Sequence, residues 1–351
     1  MASETIFDEL RRKRPAVPTE ETGKHLFFLD GWRGIAILFV LIGHFSPYFR
    51  ELGALGVDVF FVLSGRLMAK ILIMNAVPLP LFFVRRITRI FPALIVYVLA
   101  IGAVSAVATY AGLHLNSIVS PLDMFAALTM WMNYKILFFG PAGALGHTWS
   151  LSVEEHCYLI LATLSAVFHR KPVVSLLIAA IAVAAIINGI VLDPGRVDAT
   201  FWRTDVMLSG LFMSFAIFLN RGRLAAFLRA FAIPAFVVGV AVAFTPLSTS
   251  VQTGISAICL ATAVNGLELS PAWIRKALSS KPLAYMGTLS YSVYLWQQPF
   301  FAMHEKVGSF LLLPGVAVAS IASFYFIERP SRAFLNSLWD QRRFRLRVTQ
   351  I

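Results

Sequence analysis

How often this chain stays apolar for the thickness of a bilayer decides what it can fold into. Apolar stretches lie at roughly 33–50, 53–74, 91–112, 148–168, 172–192, 201–220, 228–246, 250–268, 283–303 and 308–328. Each reaches the length of about 18 residues that a helix needs to cross the hydrocarbon core. Lipid offers no partner to backbone N–H and C=O groups, so segments of this length cross as helices. The predicted fold is all-α, a polytopic integral membrane protein with about ten transmembrane helices. Composition agrees: 14% of the 351 residues are charged and 58% are hydrophobic, where soluble domains carry about 25% charged residues. Both cysteines, Cys157 and Cys259, fall in apolar runs, so no disulfide framework is expected. The opening MASETIFDELRRKRP is polar and does not read as a cleavable signal peptide.

Placing the N-terminus in the cytoplasm sorts the cations. The inner segments then hold 22 of the 30 Lys and Arg, and the outer ones hold Arg50, Lys135, Arg196 and Lys306. Arg33, Arg66, Lys70 and Arg203 fall within spans. A bias of this size orients a membrane protein, so both termini are expected in the cytoplasm, with the chain in the cell's inner (plasma) membrane. The bias also decides how to read PLDMFAALTMWMNYKILFFG, residues 121–140, which is apolar enough for an eleventh span. A crossing there would place Arg170-Lys171, Arg221-Arg223 and the basic C-terminal tail outside. The segment is therefore expected to fold over the outer mouth without crossing. The basic runs RRKR at 11–14 and RRFRLR at 342–347 read as topology signals that also touch anionic lipid. They do not call for nucleic acid. Residues 1–24 and 333–351 are taken as basic cytoplasmic tails around one membrane-embedded domain, 25–332. The 351 residues hold no stretch that reads as an appended soluble domain, so this membrane domain is expected to carry any activity.

Charge inside the spans is the next constraint, since an ionisable group there costs a few kcal/mol unless paired. The stretch LDGWRGIAILFVLIGHFSPYF, Leu29 to Phe49, carries Asp30, Arg33 and His44. Arg33 and His44 are eleven residues apart, about 16 Å along a helix, so they mark two levels of the membrane. The depth count places Asp58 of GVDVFFVLSG and Glu154 of HTWSLSVEEHCY near the outer level, beside His44. A carboxylate beside a histidine fixes its tautomer and raises its basicity, which suits a general base acting on a hydroxyl. The plainer reading is that these groups pair to lock helices. At the inner level FFVRRITRIFP brings Arg85, Arg86 and Arg89 onto neighbouring turns. Arginine suits bidentate phosphate recognition, although flanking charge alone would also explain the run. Arg66 and Lys70 lie between the levels and either snorkel or line the path of an anionic ligand. Arg203 and Asp205 open the sixth span two residues apart, so each is expected to have a partner elsewhere. Glu328 of FIERP is expected to be structural, against an inner arginine. No metal-ligand spacing, phosphate-binding glycine loop or nucleophile elbow appears.

Taken together, DGWRGIAILFVLIGH, GVDVFFVLSG, FFVRRITRIFP, HTWSLSVEEHCY, TDVMLSG, MGTLSYSVYLW and FIERP resemble the acyltransferase 3 family, over about residues 25–332. That family comprises integral-membrane enzymes that acylate mainly carbohydrates. Arg33 and His44 match its arginine–ten residues–histidine pattern, Arg86 and Arg89 its arginine motif, and Glu154 its Ser-Leu-x-x-Glu motif. The resemblance implies transfer of an acyl group, usually acetyl, from cytoplasmic acyl-CoA to a hydroxyl of an extracytoplasmic or lipid-linked glycan. His44 would be the general base, oriented by Asp58 or Glu154. Arg33, Arg85, Arg86 and Arg89 would hold the donor, with its pantetheine arm passing Arg66. No permanently bound cofactor or metal is implied. The expected partners are acyl-CoA, a glycan or lipid-linked sugar, and membrane lipid. Three departures stand out: Gln297 where members often carry histidine, Arg66 after Ser-Gly where an aromatic is usual, and His156-Cys157 in place of Gln-Phe. The competing function is a transporter moving an acylated or anionic metabolite through the same charged core.

Overall fold

The computed structural model describes residues 22–113, 117–168, 170–192, 202–303 and 309–348. The predicted basic run 11–14, Arg196 and Lys306 lie outside the described residues, as do the side chains of 342–347. Among the described residues there is no strand. The helices are α1 (Thr22–Phe45), α2 (Glu51–Met68), α3 (Leu79–Tyr110), α4 (Pro121–Leu128), α5 (Met132–Phe139), α6 (Trp149–Val167) and α7 (Lys171–Leu192). They continue as α8 (Thr204–Leu219), α9 (Ala225–Val242), α10 (Thr249–Gly266), α11 (Ala272–Leu278), α12 (Lys281–Phe301), α13 (Ser309–Ser323) and α14 (Arg329–Val348). A π turn, Ala69–Met74, extends α2, and a second, Phe324–Glu328, joins α13 to α14.

Each of the ten apolar stretches coincides with a helix. Six helical segments are long and apolar enough to cross a membrane: 27–45, 79–110, 171–192, 225–242, 249–269 and 311–341. Helix α8 is apolar but shorter, while α2, α6 and α12 are diluted by polar side chains turned into the bundle. The periphery is the reverse of a soluble protein's. Leu99, Val104 and Val107 on α3, Leu176 and Ile187 on α7, and Val237 on α9 are exposed, as lipid-facing positions require.

The segment 121–140 divides into two eight-residue helices, each far too short to cross. Ser120 and Asp123 cap α4 reciprocally, and Met130 takes a positive φ of 59° between the two helices. Lys135 folds back onto Asp123 and donates to the carbonyls of Gly140 and Pro141 at 3.1 and 2.8 Å. After this roof, Gly143–Thr148 form a 3-10 turn whose Leu145, His147 and Thr148 are buried, so α6 begins already sunk into the bundle.

Glycines set the closest helix pair. A Cβ at Gly31 would overlap the Leu278 carbonyl, one at Gly34 the Leu283 carbonyl, and one at Gly287 the Asp30 carbonyl. Gly34 and Gly287 therefore bring α1 and α12 into parallel backbone contact, while Gly31 meets the end of α11. At the far end of α1, Gly43 meets the backbone of Gly53 on α2. These contacts place Arg33 at one end of the bundle and His44 at the other.

Candidate active site

Two internal spaces lie along the α1–α12 pair. The first is a narrow cleft of about 80 Å³ reached by Arg33, Arg86, Arg89 and Glu154 and floored by Val57, Phe60, Phe61, Ser64 and Leu67 of α2. Those five recur at helical spacing and make one stripe of α2. Arg86 is the hub. Its guanidinium pairs with Glu154 at 3.0 Å and with Glu155 at 3.0 Å, and lies 3.7 Å from the centre of the Tyr158 ring. Glu154 also accepts hydrogen bonds from Ser64 and Tyr158. Arg33 pairs with Asp30 one turn away at 2.9 Å. Arg89 has no hydrogen bond or ion pair among the described residues, although Arg33, Arg86, Arg332 and Glu328 are its charged neighbours. A guanidinium so placed beside an internal cleft is available to an anion.

The second space is a roomier chamber of about 640 Å³, lined by His44, His147, Trp149, Trp202 and Gln298 and by the turn at 140–146. His44 Nδ1 lies 2.7 Å from Gln297 Oε1, and the imidazole stacks on Phe301 with centroids 4.5 Å apart. The Gln297 amide is oriented by its other end, since Nε2 donates to Gln298 Oε1 at 3.2 Å. With the Gln297 oxygen assigned towards His44, Nδ1 carries the proton and Nε2 is the basic nitrogen. Neither ring nitrogen of His147 has a hydrogen-bond partner, and the nearby Ala144 carbonyl falls short of bonding geometry. Leaving such atoms unpaired costs about 1–3 kcal/mol each.

A polar wall divides cleft from chamber. The Tyr294 hydroxyl donates to the His147 carbonyl and lies 2.7 Å from the Ser150 hydroxyl. Ser290, Tyr291 and Tyr294 face the cleft, and Gln297 and Phe301 further along α12 meet His44.

The predicted grouping of His44, Asp58 and Glu154 does not form. His44 rests against Gly53, whose Cβ would lie 3.7 Å from Nε2, whereas Glu154 is held by Ser64, eleven residues on along α2. That separates the two by about 16 Å along the helix axis. The depth count placed α6 too shallow because it did not see the buried turn at 143–148 that carries the helix start inward. Asp58 lines neither space. It sits about 100° around α2 from Val57, off the cleft stripe, and no hydrogen bond or ion pair reaches it among the described residues. The group that orients His44 is Gln297, read from sequence only as a departure.

The arginines also divide. Arg33, Arg86 and Arg89 line the cleft, but Arg85 is exposed and Arg66 is elsewhere. The Arg66 side chain is buried, donates to the Val264 carbonyl at 3.1 Å and pairs with Glu268, with Phe218 beneath it. It caps the C-terminal end of α10, where a cation meets unpaired carbonyls and the negative end of the dipole. Arg203 and Asp205, expected to find separate partners, bond each other at 3.1 and 2.5 Å, and Asp205 also accepts from Asn188 of α7 at 2.8 Å. Arg203 precedes α8 in extended conformation, so helix spacing does not apply to it. Glu328 accepts from Ser292 at 2.8 Å and has Arg89 and Arg332 as charged neighbours. His156, another departure, bonds Thr204 at 2.9 Å and ties α6 to α8. Arg332 and His147 were not predicted as site residues. Arg332 is hidden in a basic tail, and His147 precedes a motif whose glutamate drew attention first. Among the described residues, no group of three His, Cys, Asp or Glu is placed to hold a metal ion.

The acyltransferase 3 family, whose members carry an acyltransferase domain, matches residues 26–327. Relatives include the peptidoglycan O-acetyltransferase OatA of Listeria monocytogenes, 27% identical over 91% of this chain and 58% of its own length. A putative peptidoglycan O-acetyltransferase of Bacillus subtilis, YrhL, is 26% identical over 87% of this chain and 54% of its own. A putative O-acetyltransferase of Staphylococcus aureus is 27% identical over 87% of this chain and 57% of its own. The chain thus spans between half and three-fifths of these relatives. No solved structure gives a significant match. With the family's motifs spread from α1 to the π turn before α14, this chain is a membrane protein of the acyltransferase 3 family.

Proposed function

We propose that this protein transfers an acyl group, acetyl in the first instance, from cytoplasmic acyl-CoA to a hydroxyl of an extracytoplasmic or lipid-linked glycan. The observation that carries the reading is the seat of His44, whose Nδ1 meets the Gln297 carboxamide and whose imidazole lines the chamber. The relatives' printed names support a glycan acceptor and an acetyl group. The donor would enter the arginine cleft, where Arg89 and Arg33 meet its phosphates, and its thioester would pass the wall at Tyr294. His44 Nε2 would take the proton of the acceptor hydroxyl as its oxygen attacks the thioester carbonyl. The C–S bond then breaks and the thiolate leaves, taking up a proton. In this reading the arginine end faces the cytoplasm, the ten helices of the apolar stretches cross the plasma membrane, and both termini lie inside.

A hydroxyl is a poor nucleophile at neutral pH, and a positioned base contributes about 10²–10⁴-fold. His44→Gln keeps size and hydrogen bonding but cannot accept the proton. In purified, correctly inserted protein it should lower glycan acylation by that factor while acyl-CoA still binds. Near-normal acylation by His44→Gln removes the base assignment. Wild-type protein that moves substrate across vesicles without acylating it removes the enzyme reading altogether.

A further inference from the structure

The two spaces differ in charge, and the chamber's composition says what it can hold. Among the described residues, no Lys, Arg, Asp or Glu lines it. Its walls are indoles and a glycine-rich turn, and its polar side chains are two imidazoles and the Gln298 carboxamide. Imidazoles and amides both donate and accept hydrogen bonds, as sugar hydroxyls do. The cation behind the chamber wall, Lys135, is already paired with Asp123 and donates to the Gly140 and Pro141 carbonyls, so among the described residues a carboxylate or phosphate there would meet no unpaired counter-charge. Trp149 and Trp202 stand edge to face with centroids 5.2 Å apart, giving flat apolar surfaces against which the C–H face of a pyranose can lie. The volume of about 640 Å³ is within the range of small-ligand sites, about 300–1,000 Å³.

His147 supplies the independent observation. It is 92% buried, being only 8% exposed, and both ring nitrogens lack a partner. Aromatic packing holds the ring instead: Tyr97 meets it edge-on at 5.6 Å and Tyr294 tilts against it at 5.0 Å. The backbone is pinned as well, since Tyr294 takes the His147 carbonyl. A half-turn of the ring about Cβ–Cγ exchanges its nitrogens with its carbons, so the aromatic slot at the chamber wall admits either orientation of the ring. Buried polar groups are nearly always satisfied, and one left open beside a cavity is a place for a ligand to bond.

We propose that the chamber is the acceptor subsite for an uncharged sugar ring, and that His147 positions that ring by hydrogen-bonding a hydroxyl next to the one that His44 deprotonates. This rests on the acyltransferase reading above and adds the acceptor's charge class and a second histidine. His147 takes no proton in the reaction. Its contribution is to acceptor binding.

The test uses the full-length protein in nanodiscs, radiolabelled acetyl-CoA, and envelope glycan extracted from the producing cells at varied concentration. His147→Phe keeps the ring and its aromatic packing while removing both nitrogens. It should raise the acceptor concentration for half-maximal rate about tenfold, with the acetyl-CoA dependence unchanged. His147→Asn, which restores one donor and one acceptor, should recover part of that loss. Mass spectrometry of the labelled product should place the acetyl group on a sugar free of carboxylate and phosphate. An unmoved acceptor dependence in His147→Phe, or label on an anionic sugar, overturns the proposal and leaves the acyltransferase reading intact. Absence of transfer by the wild-type protein overturns that reading instead.

Discussion

The cleft and the chamber lie along the same two helices, yet one is saturated with charge and the other has none among the described residues. In the cleft, Arg86, Glu154, Glu155 and Tyr158 form a network in which almost every polar atom already has a partner. In the chamber, His147 has none, and Gln297 spends both ends of its amide on holding its neighbours. The difference teaches that the intensity of charge does not identify the reacting end. A dense ion network rigidifies a site and leaves little to offer a substrate, whereas sparse neutral groups, each fixed by packing, leave bonds to be made. Within the cleft the same contrast holds on a smaller scale between Arg86 and Arg89.

The largest expected effect would sharpen that smaller contrast. Arg86→Ala strands Glu154 and Glu155 without their cation, and removing one partner of a buried pair costs about 3–5 kcal/mol. The variant should fail to accumulate in membranes, or should unfold at markedly lower temperature, as measured by the yield and melting of detergent-solubilised protein. Intermediate in size is Arg89→Ala, which leaves Glu328 its Ser292 hydrogen bond and Arg332 as a charged neighbour. It should insert and melt normally but need about ten- to a hundredfold more acyl-CoA, each charge-assisted phosphate contact being worth about 1.5–3 kcal/mol. If Arg89→Ala shows ordinary acyl-CoA saturation, the cleft is structural throughout and the comparison collapses into one of packing.

The smallest effect belongs to the chamber. Gln297→Glu sets a carboxylate against the imidazole, which favours the protonated ring. Because a general base must be unprotonated to act, the acidic limb of the pH–rate profile should move to higher pH, by about one unit or more. Loss of activity at every pH without a shift of the limb would mean that Gln297 holds the ring's position and leaves its proton affinity untouched.

Much of this was legible in the sequence. The all-helical fold, the break at 121–140 and the separation of Arg33 from His44 all follow from apolar run length, cation bias and helix rise, while six of the ten expected spans are long and apolar enough to cross by themselves. What was not legible came from geometry that no periodicity reports. The turn at 143–148 is buried without being apolar throughout, so the depth count puts Glu154 about three turns too high. Arg66 and Arg89 look equivalent as intramembrane cations, but only the fold shows that Arg66 caps the end of α10. Gln297 looked like a loss because histidine is usual there. Its role as the partner of His44 depends on α12 running parallel to α1 in the right register, and that register is set by the glycines at 34 and 287.

Those glycines have one more consequence. With carbonyl groups packed where a methyl would sit at Gly34 and Gly287, α12 is held close along α1, and the interval between Arg33 and His44, both on α1, is a gauge cut from helix rise. On the proposed reading, a donor anchored at one end would deliver its reactive carbon only if its arm matched that gauge. Selectivity for the donor can therefore reside in its length, with no pocket shaped to the group it carries. One residue inserted between Arg33 and His44 would lengthen the gauge by about 1.5 Å and turn His44 about 100° away from Gln297, uncoupling the two ends of the membrane domain while leaving every side chain of the site in the chain.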